Sequence, residues 1–262
     1  MKIGFIGGGN MAEAMIKGMT SHGMKDIIVS DPSEKRGKYL KDSFSIETTS
    51  SNAAVCNECG IIILAVKPQI MELVLNEIRG SITAEHTIVS VAAGIKLESI
   101  KEKLGTDRLI RVMPNTPALV GKGMSVMSLC ECFADKDISI VREILMSIGE
   151  VITLPEKHMD AVTAVSGSGP GFMARYLEAT ISAGTALGLS QSDASVLAIQ
   201  TMIGTAALLE TGMTPVKLRE MVTSPGGTTA AGLDSFNNNG LDDLVAGSLK
   251  AAFDRSKELG RK

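Results

Sequence analysis

Lys2-Ile3-Gly4-Phe5-Ile6-Gly7-Gly8-Gly9-Asn10-Met11-Ala12 is a short apolar run followed by a glycine triplet and the first residues of a helical pattern, which continues through Glu13-Ala14-Met15-Ile16-Lys17-Gly18-Met19. The spacing Gly7-x-Gly9-x-x-Ala12 falls where a strand turns into a helix. In that setting Gly7 permits the tight turn, Gly9 lets backbone approach a pyrophosphate, and Ala12 is small enough for the helix to pack on the strand. The reading is a dinucleotide-binding loop on the first strand of an α/β, Rossmann-type doubly wound sheet.

The following segments extend that pattern. Ile27-Ile28-Val29-Ser30 reads as the second strand and ends at Asp31, near the spacing of about 20 residues at which a side chain meets the adenosine ribose. A carboxylate there favours the free 2′-hydroxyl of NAD. Ser30, Ser33, Lys35 and Arg36 lie beside it and can hold the 2′-phosphate of NADP if Asp31 turns away, so both cofactors stay open. Ile61-Ile62-Ile63-Leu64-Ala65-Val66 is a continuous apolar run suited to a central parallel strand. Lys67-Pro68 closes it with a cation at the strand's carboxyl end and a proline at the first position of the next helix. His86 to Ser90 is another strand, and Val91-Ala92-Ala93-Gly94 is a small-residue loop against which a nicotinamide ring can lie. Arg108 to Val112 is followed by Met113-Pro114-Asn115-Thr116-Pro117, whose prolines hold an extended wall. Met124 to Ser128 and Val151 to Leu154 read as outer strands around a helix over 136–146. The alternation implies a mostly parallel sheet.

Composition narrows the function classes. The chain has 262 residues, net charge −3, Phe 6, Tyr 2 and Trp 0. Neither a basic surface nor a supply of stacking aromatics is present, which argues against a nucleic-acid partner. No unbroken apolar run reaches the ~18 residues of a membrane span, and no signal-peptide pattern is visible, so the expected setting is cytoplasmic, without a membrane partner. The four cysteines stand as Cys56-x-x-Cys59 and Cys130-x-Cys132. Their spacing alone allows zinc or disulfides, but Cys56 and Cys59 fall in a helix-like segment without the glycine-bearing knuckle that presents zinc thiolates. They are read as structural thiols, and no metal is expected.

From Asp160 onward the strand pattern stops. The expected domains are 1–157, dinucleotide-binding, and 158–262, helical, for dimerisation and substrate. Ser166-Gly167-Ser168-Gly169-Pro170-Gly171 interrupts the first long helical stretch. A second helix is predicted over 191–210 with Ser190 as its cap, a short one over 215–223, and a terminal one over 241–259 whose tail, Gly260 to Lys262, frays. Such apolar helices need a covering surface, and a homodimer through this domain supplies one. Between the last two helices lies Ser224-Pro225-Gly226-Gly227-Thr228-Thr229, a turn rich in backbone donors with two hydroxyls. A helix starting at Thr228 or Thr229 would make it an anion cradle.

The glycine loop, Ala65-Val66-Lys67-Pro68, Arg111 to Pro117, Asp160 to Pro170 and Ser224 to Thr229 occur in the order found in pyrroline-5-carboxylate reductases, and the chain resembles that family over essentially its full length. The resemblance implies NAD(P)H-dependent reduction of the C=N bond of L-1-pyrroline-5-carboxylate to L-proline. It also implies a dimer of interleaved helical domains, often assembled into a ring of dimers. It places cofactor contacts on Gly7, Gly8, Gly9, Asn10, Met11 and Ala12, on Ser30, Asp31 and Asn52, on Ala65, Val66, Lys67 and Pro68, and on Ala92, Ala93 and Gly94. Substrate contacts fall on Ser224, Gly226, Gly227, Thr228 and Thr229, with the Thr229 hydroxyl on the ring nitrogen as the catalytic group. Two residues depart from the family pattern: Gly171 stands where alanine usually follows the proline, and Asp31 where a small or neutral residue is common.

Two rivals share parts of this plan. A β-hydroxyacid dehydrogenase needs a catalytic lysine on the first long helix of its second domain, and no lysine lies between Lys157 and Lys217. A non-catalytic dinucleotide sensor would have no use for a second anion cradle.

Overall fold

The computed structural model describes residues 1–130 and 135–260; Cys132, Arg261 and Lys262 lie outside the described residues. β1 (Ile3–Ile6) is paired in parallel with β2 (Ile27–Ser30) on one side and β4 (Ile61–Leu64) on the other. All residues of these strands and of β5 (Thr87–Ser90) are buried. That is what helices on both faces of a parallel sheet require, and it is why these strands read as unbroken Ile, Val and Leu rather than as alternating patterns. β3 (Glu47–Thr49), β6 (Leu109–Met113), β7 (Gly123–Leu129) and β8 (Gly149–Thr153) complete an eight-stranded sheet in the order β3-β2-β1-β4-β5-β6-β7-β8. All neighbours run parallel except β6 and β7. Reversal of strand order on either side of β1 is the topological switch at which open α/β sheets bind ligands.

Two apolar layers flank the sheet. On one face Ile3, Phe5 and Ile63 pack with Ala12, Met15 and Met19 of α1 (Asn10–Ser21) and with Leu40 of α2 (Glu34–Phe44). Val141, Ile144 and Leu145 of α6 (Asp135–Met146) join the same layer. On the other face Ile6, Ile28, Ile62 and Leu64 meet Val55 of α3 (Asn52–Glu58), Met71 and Val74 of α4 (Pro68–Ile78) and Ile100 of α5 (Leu97–Leu104). The period-two alternation of Cβ directions divides each strand between the layers. Burial of each Ile or Leu contributes ~1.5–3 kcal/mol relative to exposure, which makes this sheet the main source of stability.

After β8 come α7 (Met159–Val162), a π-helical turn at Thr163–Gly167, and the helices α8 (Gly169–Ala186), α9 (Gln191–Glu210), α10 (Pro215–Met221), α11 (Thr228–Asn238) and α12 (Leu241–Leu259). The predicted limits of α9 and α12 coincide with the observed ones. Ser190 caps α9 by accepting the Asp193 N–H at 3.0 Å, and Thr214 caps α10 the same way through Lys217. By contacts the chain forms two compact units, Met1–Ser168 with Ala252–Lys262, and Gly169–Ala251.

Within the second unit α8 buries no residue and α9 buries only Ala194. Met173, Tyr176, Val196, Leu197, Ile199 and Ile203 are exposed. α9 is also long and apolar enough to cross a membrane by length and composition. An expectation based on unbroken apolar runs did not register this, because Ser192, Asp193, Gln200, Thr201 and Thr205 interrupt the run without lowering its average below that of a span.

β8 leans on a glycine. Gly149 has φ +144°, and a Cβ there would fall 1.9 Å from the Gly123 carbonyl oxygen, its register partner on β7. Replacing Gly149 with Ala is expected to cost roughly 3 kcal/mol or more, read as a lowered urea midpoint, whereas Gly23→Ala, with open space at its Cβ but positive φ, costs about 1 kcal/mol.

Candidate functional site

The glycine loop is shaped by its neighbours. Gly7 has φ +95°, and a Cβ would sit 2.8 Å from both the Ala65 carbonyl oxygen and Val66 Cγ1. Only glycine passes this corner. The Gly7 N–H donates to the Ser30 carbonyl and the Ala65 N–H to the Ile6 carbonyl, both at 2.8 Å, so the ends of β1, β2 and β4 are stitched together. Gly9 is the N-cap of α1, and no side chain caps that end. No atom lies within 4 Å of where its Cβ would stand. An uncapped helix start with free space above it is what a pyrophosphate needs, and Ala12, fully buried, sets the close packing of α1 beneath. The residues present therefore fit a dinucleotide.

A second layer of polar contacts holds this loop from outside. Asp31 accepts the Gly8 N–H through Oδ2 and the Ser33 N–H through Oδ1, each at 2.9 Å. Arg36 donates through Nε to the Gly8 carbonyl, and through a terminal nitrogen to the Gly9 carbonyl at 3.2 Å and to Glu13 Oε2 at 2.5 Å. The Tyr39 hydroxyl donates to Glu13 Oε1 at 2.8 Å, and its ring lies 5.1 Å from the Arg36 guanidinium carbon. Burial pushes the Glu13 carboxyl up, but the Tyr39 hydroxyl and Arg36 outweigh it and hold the group below the usual carboxylate range. Glu13 stays charged and keeps Arg36 in place.

Other expected cofactor residues gather at the same sheet edge. The Ser30 hydroxyl, buried, donates to Asn52 Oδ1 at 2.6 Å, and Asn52 Nδ2 donates to Glu77 Oε2 at 2.9 Å. Lys67 is exposed and forms the N-cap of α4, with Pro68 at the first turn as predicted. The Val91 N–H reaches the Leu64 carbonyl at 3.2 Å, setting the Val91–Gly94 loop beside β4. Ala92 is buried, and Gly94 turns with φ +79° against the end of α12, where a Cβ on Gly94 would be 3.1 Å from Leu259 Cβ. The wall after β6 is tied by side chains rather than by prolines alone. Asn115 Oδ1 accepts the Met124 N–H at 2.8 Å, while Nδ2 donates to the Ser166 carbonyl and hydroxyl at 3.3 Å. Arg111, 5% exposed, pairs with Glu156 Oε1 at 3.0 Å, and the same oxygen accepts the Leu97 N–H at 2.8 Å.

In the second unit, Gly227 N–H donates to the Ser224 carbonyl at 3.0 Å and closes the predicted turn. Gly226 takes φ +68°, and α11 starts at Thr228 with Gly227 as an N-cap that no side chain serves. No side chain therefore caps the first N–H groups of α11. Ser224, Gly226 and Thr228 are exposed; Gly227 and Thr229 are half-buried.

Sequence reasoning placed Arg36 only as a 2′-phosphate ligand and overlooked Glu13, Tyr39 and Glu156. The available signal was weak: charged residues in the first turns of α1 and α2, where an exposed face reads the same.

Three comparisons bear on this chain. Residues 156–259 match the family described as pyrroline-5-carboxylate reductase dimerisation, and residues 2–94 match NADP oxidoreductase coenzyme F420-dependent. A curated pyrroline-5-carboxylate reductase of a Synechocystis species is 36% identical over 266 residues, covering 100% of this chain and 99% of its own. Among solved structures, a pyrroline-5-carboxylate reductase from Coxiella burnetii superposes with a TM-score of 0.93 at 33% identity, covering 100% of this chain and 99% of its own. A Plasmodium falciparum pyrroline carboxylate reductase with NADP bound gives a TM-score of 0.88 at 32% identity over 99% and 98%.

Among the described residues no cluster of His, Cys, Asp and Glu is arranged to hold a metal, and Cys56, Cys59 and Cys130 are free thiols. Burial pushes the Cys56 thiol up to about 11 and the Cys59 thiol up to about 12. Both therefore stay protonated well above neutrality. In the folded chain near pH ~8, iodoacetamide is expected to leave Cys56 and Cys59 unmodified by peptide mass mapping, and to label both after unfolding in urea.

Proposed function

This chain belongs to the pyrroline-5-carboxylate reductase family, and we propose that its Gly7–Ala12 loop holds the cofactor while its Ser224–Thr229 turn holds the substrate. The reaction is the NAD(P)H-dependent reduction of the C=N bond of L-1-pyrroline-5-carboxylate to L-proline, the last step of proline biosynthesis.

The observation that carries the residue assignment is the uncapped start of α11 behind the Gly226 turn. The dinucleotide has its phosphate site at α1, which leaves this second cradle for the carboxylate of the substrate. The backbone N–H groups of Thr228 and Thr229, beyond the Gly227 N–H that closes the turn on Ser224, would orient the ring through that carboxylate. The Thr229 hydroxyl would hydrogen-bond the ring nitrogen, donating or accepting as the imine becomes an amine, because a hydroxyl serves either role by rotation. The bound nicotinamide supplies the hydride. No strong acid is required of the protein, since a protonated imine is already electrophilic and the task is positioning. Around the cofactor, Ser30, Asp31 and Asn52 would meet the adenosine half. Lys67, Pro68 and the Ala92–Gly94 loop would border the nicotinamide half.

The chain carries the family's dimerisation domain, and the bare apolar faces of α8 and α9 support a homodimer through it. The groove between these helices, lined by Met173, Leu177, Leu197 and Leu209 among others, has a volume of about 540 Å³ and suits a copy of the same helices better than lipid, given Thr180, Thr201 and Thr205 along it. Further assembly into a ring of dimers and a cytoplasmic setting are part of the same proposal. Free cysteines are consistent with a reducing compartment.

Two measurements test this reading. Thr229→Ala is expected to lower kcat/KM for pyrroline-5-carboxylate by about tenfold or more, on the order of 1.4 kcal/mol, with an unchanged melting temperature; unchanged kinetics would remove Thr229 from the mechanism. Light scattering at micromolar concentration should return at least a dimeric mass, and a monomer would refute the covering role of a second copy.

A further inference from the structure

We infer that Asp31 makes this chain an NADH-selective member of its family, by occupying with a fixed carboxylate the place where the 2′-phosphate of NADPH would have to sit. The inference rests on the reading of Gly7–Ala12 as the dinucleotide site.

Both Asp31 oxygens are engaged with backbone, Oδ2 on the Gly8 N–H and Oδ1 on the Ser33 N–H, each at 2.9 Å. The side chain is turned toward the glycine loop rather than away from it. A Cβ at Gly8 would meet Oδ2 at 3.1 Å, so the carboxylate is packed against the loop backbone. Asp31 follows β2 directly, which is where the ribose hydroxyls of a dinucleotide are read in this fold. There the carboxylate accepts hydrogen bonds from a free 2′-hydroxyl. A phosphate in place of that hydroxyl brings about −1.5 to −2 charges against it.

Of the cations nearby, Arg36 is committed elsewhere, Lys38 and Lys41 are balanced by carboxylates, and Lys35 is an exposed side chain in the first turn of α2. Arg36, the natural bidentate partner of a phosphate, donates to the carbonyls of Gly8 and Gly9 and to Glu13, which Tyr39 holds from its other oxygen. The phosphate would have to pull Arg36 from all of these at once. The Ser33 hydroxyl already accepts the Arg36 N–H at 3.3 Å, and the Ser33 N–H is taken by Asp31. Beside Asp31 lies a groove of about 470 Å³ lined by Ser33, Glu34, Lys38, Lys41, Asp42 and Thr49 among others. Its two lysines face three carboxylates with Asp31 counted, so it offers no surplus of positive charge.

The test is direct titration of NADH and NADPH, followed by the fluorescence of the reduced nicotinamide or by calorimetry, alongside kcat/KM with each. Wild type is expected to bind NADH at least about tenfold more tightly than NADPH, and the gap should narrow as salt is raised, because it arises from like charges. Asp31→Ser is expected to shift the affinity ratio toward NADPH by about tenfold or more. Asp31→Asn retains one acceptor for the loop N–H groups while losing the charge, and should shift the ratio the same way even if the serine variant is poorly folded. Equal or tighter binding of NADPH by wild type, or a ratio that neither substitution moves, overturns the inference and leaves the dinucleotide site standing. Binding of neither nucleotide overturns the site itself.

Discussion

At the carboxyl end of β1 the chain turns through Gly7, where any Cβ would be driven to 2.8 Å from the Ala65 carbonyl oxygen. This passage couples three strands and a helix. β1, β2 and β4 must end level with one another for the turn to be closed by the Ser30 and Ile6 carbonyls, and α1 must start immediately beyond it. A larger residue would force β1 and β4 apart at the centre of the sheet, where both strands are buried between the apolar layers. The uncapped start of α1 and the packing of the core are therefore set by one backbone conformation.

Around that turn the polar side chains act on backbone as well as on each other. Asp31 takes the Gly8 N–H, Arg36 takes the Gly8 and Gly9 carbonyls, and Asn115 takes the Met124 N–H. Each contact fixes a loop that has no regular hydrogen bonding of its own. Rigid loops on a rigid sheet edge lower the ordering cost of binding. The π-helical turn at Thr163–Gly167 is held in the same way, since Asn115, in the segment after β6, donates to the Ser166 carbonyl. Such turns place an extra residue in a helix and are frequent at functional sites.

The helical unit follows a different rule. Helices α8 and α9 are apolar or small around much of their circumference and bury almost nothing within the chain. Their stability cannot come from one copy's core, since exposed Leu and Ile forgo the ~1.5–3 kcal/mol that burial gives each of them. Fold and assembly are in this unit a single problem.

What could be read from the residues alone was whatever local chemistry dictates. The glycine spacing, the isoleucine runs of β1, β2 and β4, Pro68 at the start of α4, and the Ser190 cap of α9 each determine a local conformation through sterics or one short-range hydrogen bond. They carried the doubly wound architecture and the switch to helices with them. β3 was not legible, because Glu47-Thr48-Thr49 has neither length nor an apolar face and is a strand only through its pairing with β2. The orientation of Asp31 and Arg36 was equally hidden: both a carboxylate turned toward the loop and one turned away are compatible with the same four letters of sequence. Only the tertiary structure chose between them, because the partners that decide it, the N–H of Gly8 and the carboxylate of Glu13, lie 23 residues away along the chain and reach Asp31 and Arg36 only once β1 and β2 are side by side.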